Sequence, residues 1–133
     1  MSVPSSDVNV QVRFGADALR LLQQLTEDAI QRAIQATVAR IRAYATGGQS
    51  NVPVRTGRLK GSFDIGSTPR SIVFKWSAID PLTNYDYAKI QDVGGPNRYG
   101  YIAGKYYSSV TADYARQWLV EELMKELGRL RVP

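Results

Sequence analysis

The chain has 133 residues with 44% apolar and 22% charged side chains, which suits one globular domain, 1–133, with a modest core and makes wholesale disorder improbable. Cysteine and histidine are both absent, so disulfides, thiolate chemistry, the usual zinc sites and the commonest neutral-pH proton carrier are excluded. The net charge of +5 is modest and spread out, its densest local excess being Arg55, Arg58, Lys60 and Arg70 against Asp64.

Residues 1–7 read as a flexible N-terminal tail without the basic and apolar regions of a signal peptide. No apolar run approaches a membrane span, and the expectation is a soluble protein made in the cytoplasm. Val8, Val10, Val12 and Phe14 then alternate with polar residues, the period of a half-buried strand. From Ala16 to about Ala45 the period changes. Leu19, Leu22, Leu25, Ala29, Ile30, Ala33, Thr37, Ile41 and Tyr44 recur at helical steps, predicting one long amphipathic helix stopped by Gly47-Gly48. Such a helix would measure roughly 45 Å against a domain diameter of roughly 36 Å. One end should therefore overhang, and Ala29, Ala33 and Ala36 would need a neighbouring subunit to cover them; the alternative is a kinked helix folded onto its own sheet.

Pro53 forces a turn, after which Thr56 can cap a single helical turn that places Leu59 inward and leaves through Gly61. Phe63 and Ile65 then alternate with polar residues, Ser67-Thr68-Pro69-Arg70 turns the chain, and Ile72, Phe74 and Trp76 share a face: a β-hairpin. The stretch from Tyr85 to Val93 suits a short helix or a continued strand. Residues Gly94 to Lys105 are too glycine-rich to be regular throughout, and their aromatic and basic content suits contacts. Ser108 or Ser109 can cap a final helix whose stripe is Tyr114, Ala115, Trp118, Leu119, Leu123, Leu127 and Leu130, with a favourable Glu121–Lys125 pair and an unfavourable Glu122–Glu126 pair. The fold class expected is α+β: a long N-terminal amphipathic helix and a C-terminal helix packed on a small, mainly antiparallel sheet.

No catalytic, cofactor-binding or metal residues emerge. The carboxylates are scattered among turns and helix faces, and Gly100 to Lys105 departs from a phosphate-cradling loop in glycine spacing and in having Tyr106 where magnesium needs Ser or Thr. Any serine or threonine nucleophile would need a lysine base, and no spacing recommends one. Basic and aromatic residues interleave between Arg55 and Tyr106 without a known nucleic-acid signature, which leaves nonspecific DNA binding as one reading and an unrecognised hydrolase or toxin as another.

The stretch Val52-Pro53-Val54-Arg55-Thr56-Gly57-Arg58-Leu59-Lys60-Gly61-Ser62-Phe63 resembles the Pro-x-x-Thr-Gly-x-Leu-x-x-Ser signature of a family of bacteriophage tail-component, neck or head–tail joining proteins, with Pro53, Thr56, Gly57, Leu59 and Ser62 matching. Tyr87-Ala88-Lys89-Ile90-Gln91-Asp92-Val93-Gly94 is similar to that family's second signature, with Tyr87, Ala88, Asp92 and Gly94 matching and Asp92 standing where Glu is commoner. The resemblance covers about Ala16 to Leu130 and implies a structural virion protein rather than an enzyme. It would assemble in the host bacterial cytoplasm and reside in the virion neck or tail. There it would form a homo-oligomeric ring, hexamer or dodecamer, between portal, adaptor or head-closure proteins and tail-tube or tail-terminator proteins, with DNA passing through. A minor tail or tail-terminator role is the alternative within the family. On this reading Thr56, Gly57 and Leu59 hold the helix–hairpin junction, and Arg55, Arg58, Lys60, Arg98, Tyr99, Tyr101 and Tyr106 are candidate interface residues. No cofactor and no membrane are implied.

Overall fold

A computed structural model describes residues 8–47, 61–77, 92, 94–97, 100–104 and 106–131, with side chains of 94–97, 100–103 and 131 outside the description. The class is α+β, as expected: helices packed on a three-stranded antiparallel sheet. Strand β1 (Val8–Arg13) follows its alternating pattern, burying Val8 and Val12 while Asn9, Gln11 and Arg13 face outward. The hairpin of β2 (Asp64–Thr68) and β3 (Ser71–Trp76) forms around Pro69-Arg70. β3 is central, in the order β1-β3-β2, with Val10 opposite Phe74 and Ile65 opposite that same Phe74. That register puts the valines of β1, Ile72, Phe74 and Trp76 on one face, and the helices cover it.

The single long helix predicted over 16–45 is two helices. Helix α1 (Ala16–Leu22) ends in a tight turn in which Gln24 and Leu25 donate their amides to the carbonyls of Leu21 and Leu22. Helix α2 (Glu27–Thr46) starts afresh at Thr26, whose Oγ1 accepts from the Ala29 amide at 3.2 Å, with Glu27 and Asp28 in its first turn. A cap and two acids at the positive end of the helix dipole make a new start there cheaper than continuation. The break also changes the phase of the apolar stripe: Ala18 is buried and Leu19 is 49% exposed. Gly47 closes α2, its amide donating to the Tyr44 carbonyl, and a Cβ there would lie 2.7 Å from the Ala43 carbonyl oxygen.

At 20 residues α2 is about 30 Å long, so the overhang inferred from an unbroken helix does not arise. Ala29 and Ala33 are buried within the chain's own core and Ala36 is half-buried, because α2 packs against the final helix α3 (Tyr107–Arg131). The two run antiparallel, as the pairs Arg32–Glu126, Arg40–Glu122 and Tyr44–Trp118 show. The core face of α3 holds Tyr107, Thr111, Ala115, Leu119, Leu123 and Glu126, one position off the predicted stripe at its far end, where Leu127 is half-buried and Leu130 exposed. The buried hydroxyls of Thr37 and Thr111 donate to carbonyls four residues back, which satisfies them inside the core.

The glycine-rich segment is more regular than its composition predicts: β4 (Gly94–Asn97) and β5 (Gly100–Ala103) pair antiparallel as a separate two-stranded ribbon. The expected tail at 1–7, the Thr56 turn and the segment from Tyr85 to Gln91 lie outside the described residues. Among the described residues no helix is long and apolar enough to cross a membrane.

Candidate functional site

Of the matching signature residues the structure describes Ser62, Asp92 and Gly94, and the first two are linked through Phe63, Trp76 and the start of α3. Ser62, last of the first signature, sits beside the end of β3 and its Oγ accepts from the Ser77 amide at 3.0 Å. Phe63, next in the chain, packs against Trp76 with ring centroids 5.1 Å apart, and Trp76 in turn lies edge-on to Tyr107 at 4.8 Å. Tyr107 is the first residue of α3, and Trp76 and Tyr107 are both fully buried.

Asp92, the acid of the second signature, arrives at that same helix end. Its carboxylate accepts from the Ser108 amide at 2.9 Å and from the Ser108 hydroxyl at 2.5 Å, while its carbonyl accepts from the Tyr106 amide at 2.6 Å. The expected cap at Ser108 or Ser109 is thus corrected. The helix begins one residue earlier, and the capping oxygen is brought from 16 residues upstream, with Ser108 donating to it. A carboxylate at this position satisfies an orphan amide and faces the positive end of the helix dipole. It is 4% exposed, so its bonding capacity is spent inside the fold.

Tyr106 immediately precedes α3 with φ of 51°, the left-handed region that a bulky L-residue seldom occupies, and its side chain is 56% exposed. The Asp92 carbonyl and the first helical bond, from the Val110 amide to the Tyr106 carbonyl, hold it there. Tyr106 is the candidate interface residue whose side chain is among those described, and it is exposed. Tyr101 lies in β5 opposite Pro96, with its side chain undescribed, and Gly94 opens β4 opposite Ala103. Pro53, Arg55, Thr56, Gly57, Arg58, Leu59, Lys60, Tyr87, Ala88, Arg98 and Tyr99 lie outside the described residues.

Among the described residues, six basic side chains face carboxylates. Arg70, counted there in a local positive excess, donates to Glu27 at the start of α2, and that hydrogen bond holds the Glu27 carboxyl below the usual range. Arg40 bridges Glu121 and Glu122 while lying 4.8 Å over the Trp118 ring, and its hydrogen bond, with that of Gln117, likewise lowers Glu121. Glu126, buried, receives Arg32 and Arg129. The unfavourable Glu122–Glu126 pair expected on α3 is therefore relieved from α2, and Lys125 makes its ion pair with Glu122 while its charge also favours the Glu121 carboxylate. Sequence reasoning missed the cluster of Tyr44, Tyr114 and Trp118, in which the last two rings stack at 5.1 Å and burial with the neighbouring phenol raises the Tyr44 pKa. Among the described residues no group of three or more carboxylates could hold a metal ion.

No family model, curated protein or solved structure matches the chain.

Proposed function

We propose that the chain is a structural virion protein of a tailed bacteriophage, forming a ring at the head–tail interface through which DNA passes. The observation that carries the reading is the convergence of the two signatures. Ser62 of the first signature and Asp92 of the second are linked through their neighbours, Phe63 packing on Trp76, Trp76 on Tyr107 and Asp92 bonding to Ser108, and both spend hydrogen bonds on holding the hairpin and the final helix. Signature residues used as a lock between elements suit a protein selected for shape and contact.

Tyr106 is the described residue best placed to contact a neighbour, since a rigid, exposed aromatic beside a fixed helix end loses little freedom on docking. Of the basic residues on which the DNA-binding alternative rests, Arg70 faces the Glu27 carboxylate, and Arg55, Arg58, Lys60, Arg98 and Lys105 lie outside the described residues. Deleting the gene tests the proposal: filled heads and separate tails should accumulate unjoined, and labelled protein should localise to the neck of wild-type particles. Filled heads joined to full-length tails in the deletion would refute it.

A further inference from the structure

Tyr106 holds a backbone position that glycine or asparagine would take at less cost. Its φ of 51° lies in the left-handed region, where Cβ crowds the following carbonyl. The hydrogen bonds that fix it there, from the Tyr106 amide to the Asp92 carbonyl and from the Val110 amide to the Tyr106 carbonyl, are made by backbone groups that any residue but proline supplies. The ring itself is 56% exposed, so the fold makes little use of it. An unfavourable conformation that displays a large aromatic side chain marks a residue kept for what it meets beyond its own fold.

The start of α3 also carries a place that such a ring fits. An open groove of about 230 Å³ is lined by Val10, Ser108, Ser109, Ala112, Asp113 and Arg116. A cavity of about 150 Å³ is enough for benzene, so a phenol ring has room. Half-buried Val10 and buried Ala112 give the groove its apolar side, and small Ser109 and Ala112 let a ring lie close to the helix. The rim supplies both charges. An Asp113 carboxylate accepts a phenol O–H, and an Arg116 guanidinium is attracted to the face of the ring. These two exposed side chains now pair with each other at 3.2 Å across one turn, an arrangement worth so little that exchanging partners is cheap. The Tyr106 of the same chain is not among the residues that line the groove.

We infer that this groove receives Tyr106 of a second copy of the chain. The incoming ring covers Val10 and Ala112, its hydroxyl donates to Asp113, and Arg116 closes over its face. Ring and groove are different patches, so the contact is of the kind that can repeat head to tail from copy to copy. It goes beyond the neck reading, since it joins copies wherever the assembly resides.

Sedimentation of the full chain at concentrations up to about 1 mM should show species heavier than the 14.8 kDa protomer. Tyr106→Gly should raise the Kd of self-association at least tenfold while Tm holds or rises, because glycine takes the left-handed conformation freely. Ser109→Trp, an exposed change that fills the groove, should weaken association to a similar extent, and the double variant should be no weaker than either single one. Photoreactive benzoylphenylalanine in place of Tyr106, mixed with isotope-labelled unmodified chain, should crosslink to the labelled copy within residues 108–116; this readout does not depend on either substituted variant folding. A monomer throughout the concentration range would overturn the inference. So would association unchanged in Y106G, or crosslinks mapping away from the groove. Gene deletion and virion labelling decide the neck reading separately, so the two can fail apart.

Discussion

Asp92→Ala tests the convergence of the signatures most directly. The side chain supplies two charge-assisted hydrogen bonds to Ser108 and sits at the positive end of a 25-residue helix that contributes a large part of the core. Removing a capping oxygen costs about 0.5–2 kcal/mol, and losing an anion from a partly buried helix terminus adds up to ~2 kcal/mol. Water can reach the half-buried Ser108 and recover part of this, so a loss of about 2.5 kcal/mol is expected. For 133 residues the unfolding entropy is roughly 0.28 kcal/mol/K, which converts that loss to a fall of about 9 °C in Tm. Urea titration followed by tryptophan fluorescence is a suitable assay, since Trp76 packs against the first residue of α3. Ser108→Ala and the double variant complete a cycle, and a coupling of about 1 kcal/mol or more is expected for groups in direct contact. If D92A stayed within about 0.5 kcal/mol of the parent, or if the two single changes simply added, the cap would not be holding the helix.

Glu126 is buried between two arginines, so Arg32→Ala or Arg129→Ala alone should cost about 1 kcal/mol or less, whereas the double variant should exceed their sum by at least about 1 kcal/mol because the carboxylate is then left unpaired; strict additivity in denaturant titrations would contradict this. Trp76 Nε1 is buried without a hydrogen-bond partner, so Trp76→Phe should cost about 1.5 kcal/mol or less against about 3–5 kcal/mol for Trp76→Ala. A W76F penalty as large as that of W76A would show that the indole N–H is better served than the geometry indicates. The Glu27 carboxyl is depressed by Arg70, so its contribution is present above the ordinary value of 4.5 and lost as pH falls through the lower folded value. A carboxyl titration by NMR should place the Glu27 midpoint below 4.5 in the parent and return it to the ordinary range in Arg70→Ala; an unchanged midpoint would dismiss the ion pair.

Thr26 shows where local reading stopped short. The stop and restart of the N-terminal helix were written in Leu25-Thr26-Glu27-Asp28, a cap followed by two acids, but the apolar residues on either side keep helical spacing and mask the break. Leu19 then falls outside the core although it fits the pattern, since the break at residues 23–26 removes the single helical phase that the pattern assumed. The ribbon of β4 and β5 was hidden by composition: glycine and proline lower strand propensity, and pairing supplied the regularity that propensity withheld.

The alternation in β1, the turn at Pro69-Arg70, the shared face of Ile72, Phe74 and Trp76, and the stop at Gly47 were determined by the sequence itself, because each rests on neighbours a few residues apart. Only the tertiary structure decided that β3 would lie between β1 and β2, that α2 and α3 would trade arginines for glutamates along their antiparallel contact, and that Asp92 would reach the start of α3. These depend on which distant surfaces bury together, and a carboxylate becomes a helix cap only when packing brings it within hydrogen-bond reach of that helix's first free amides.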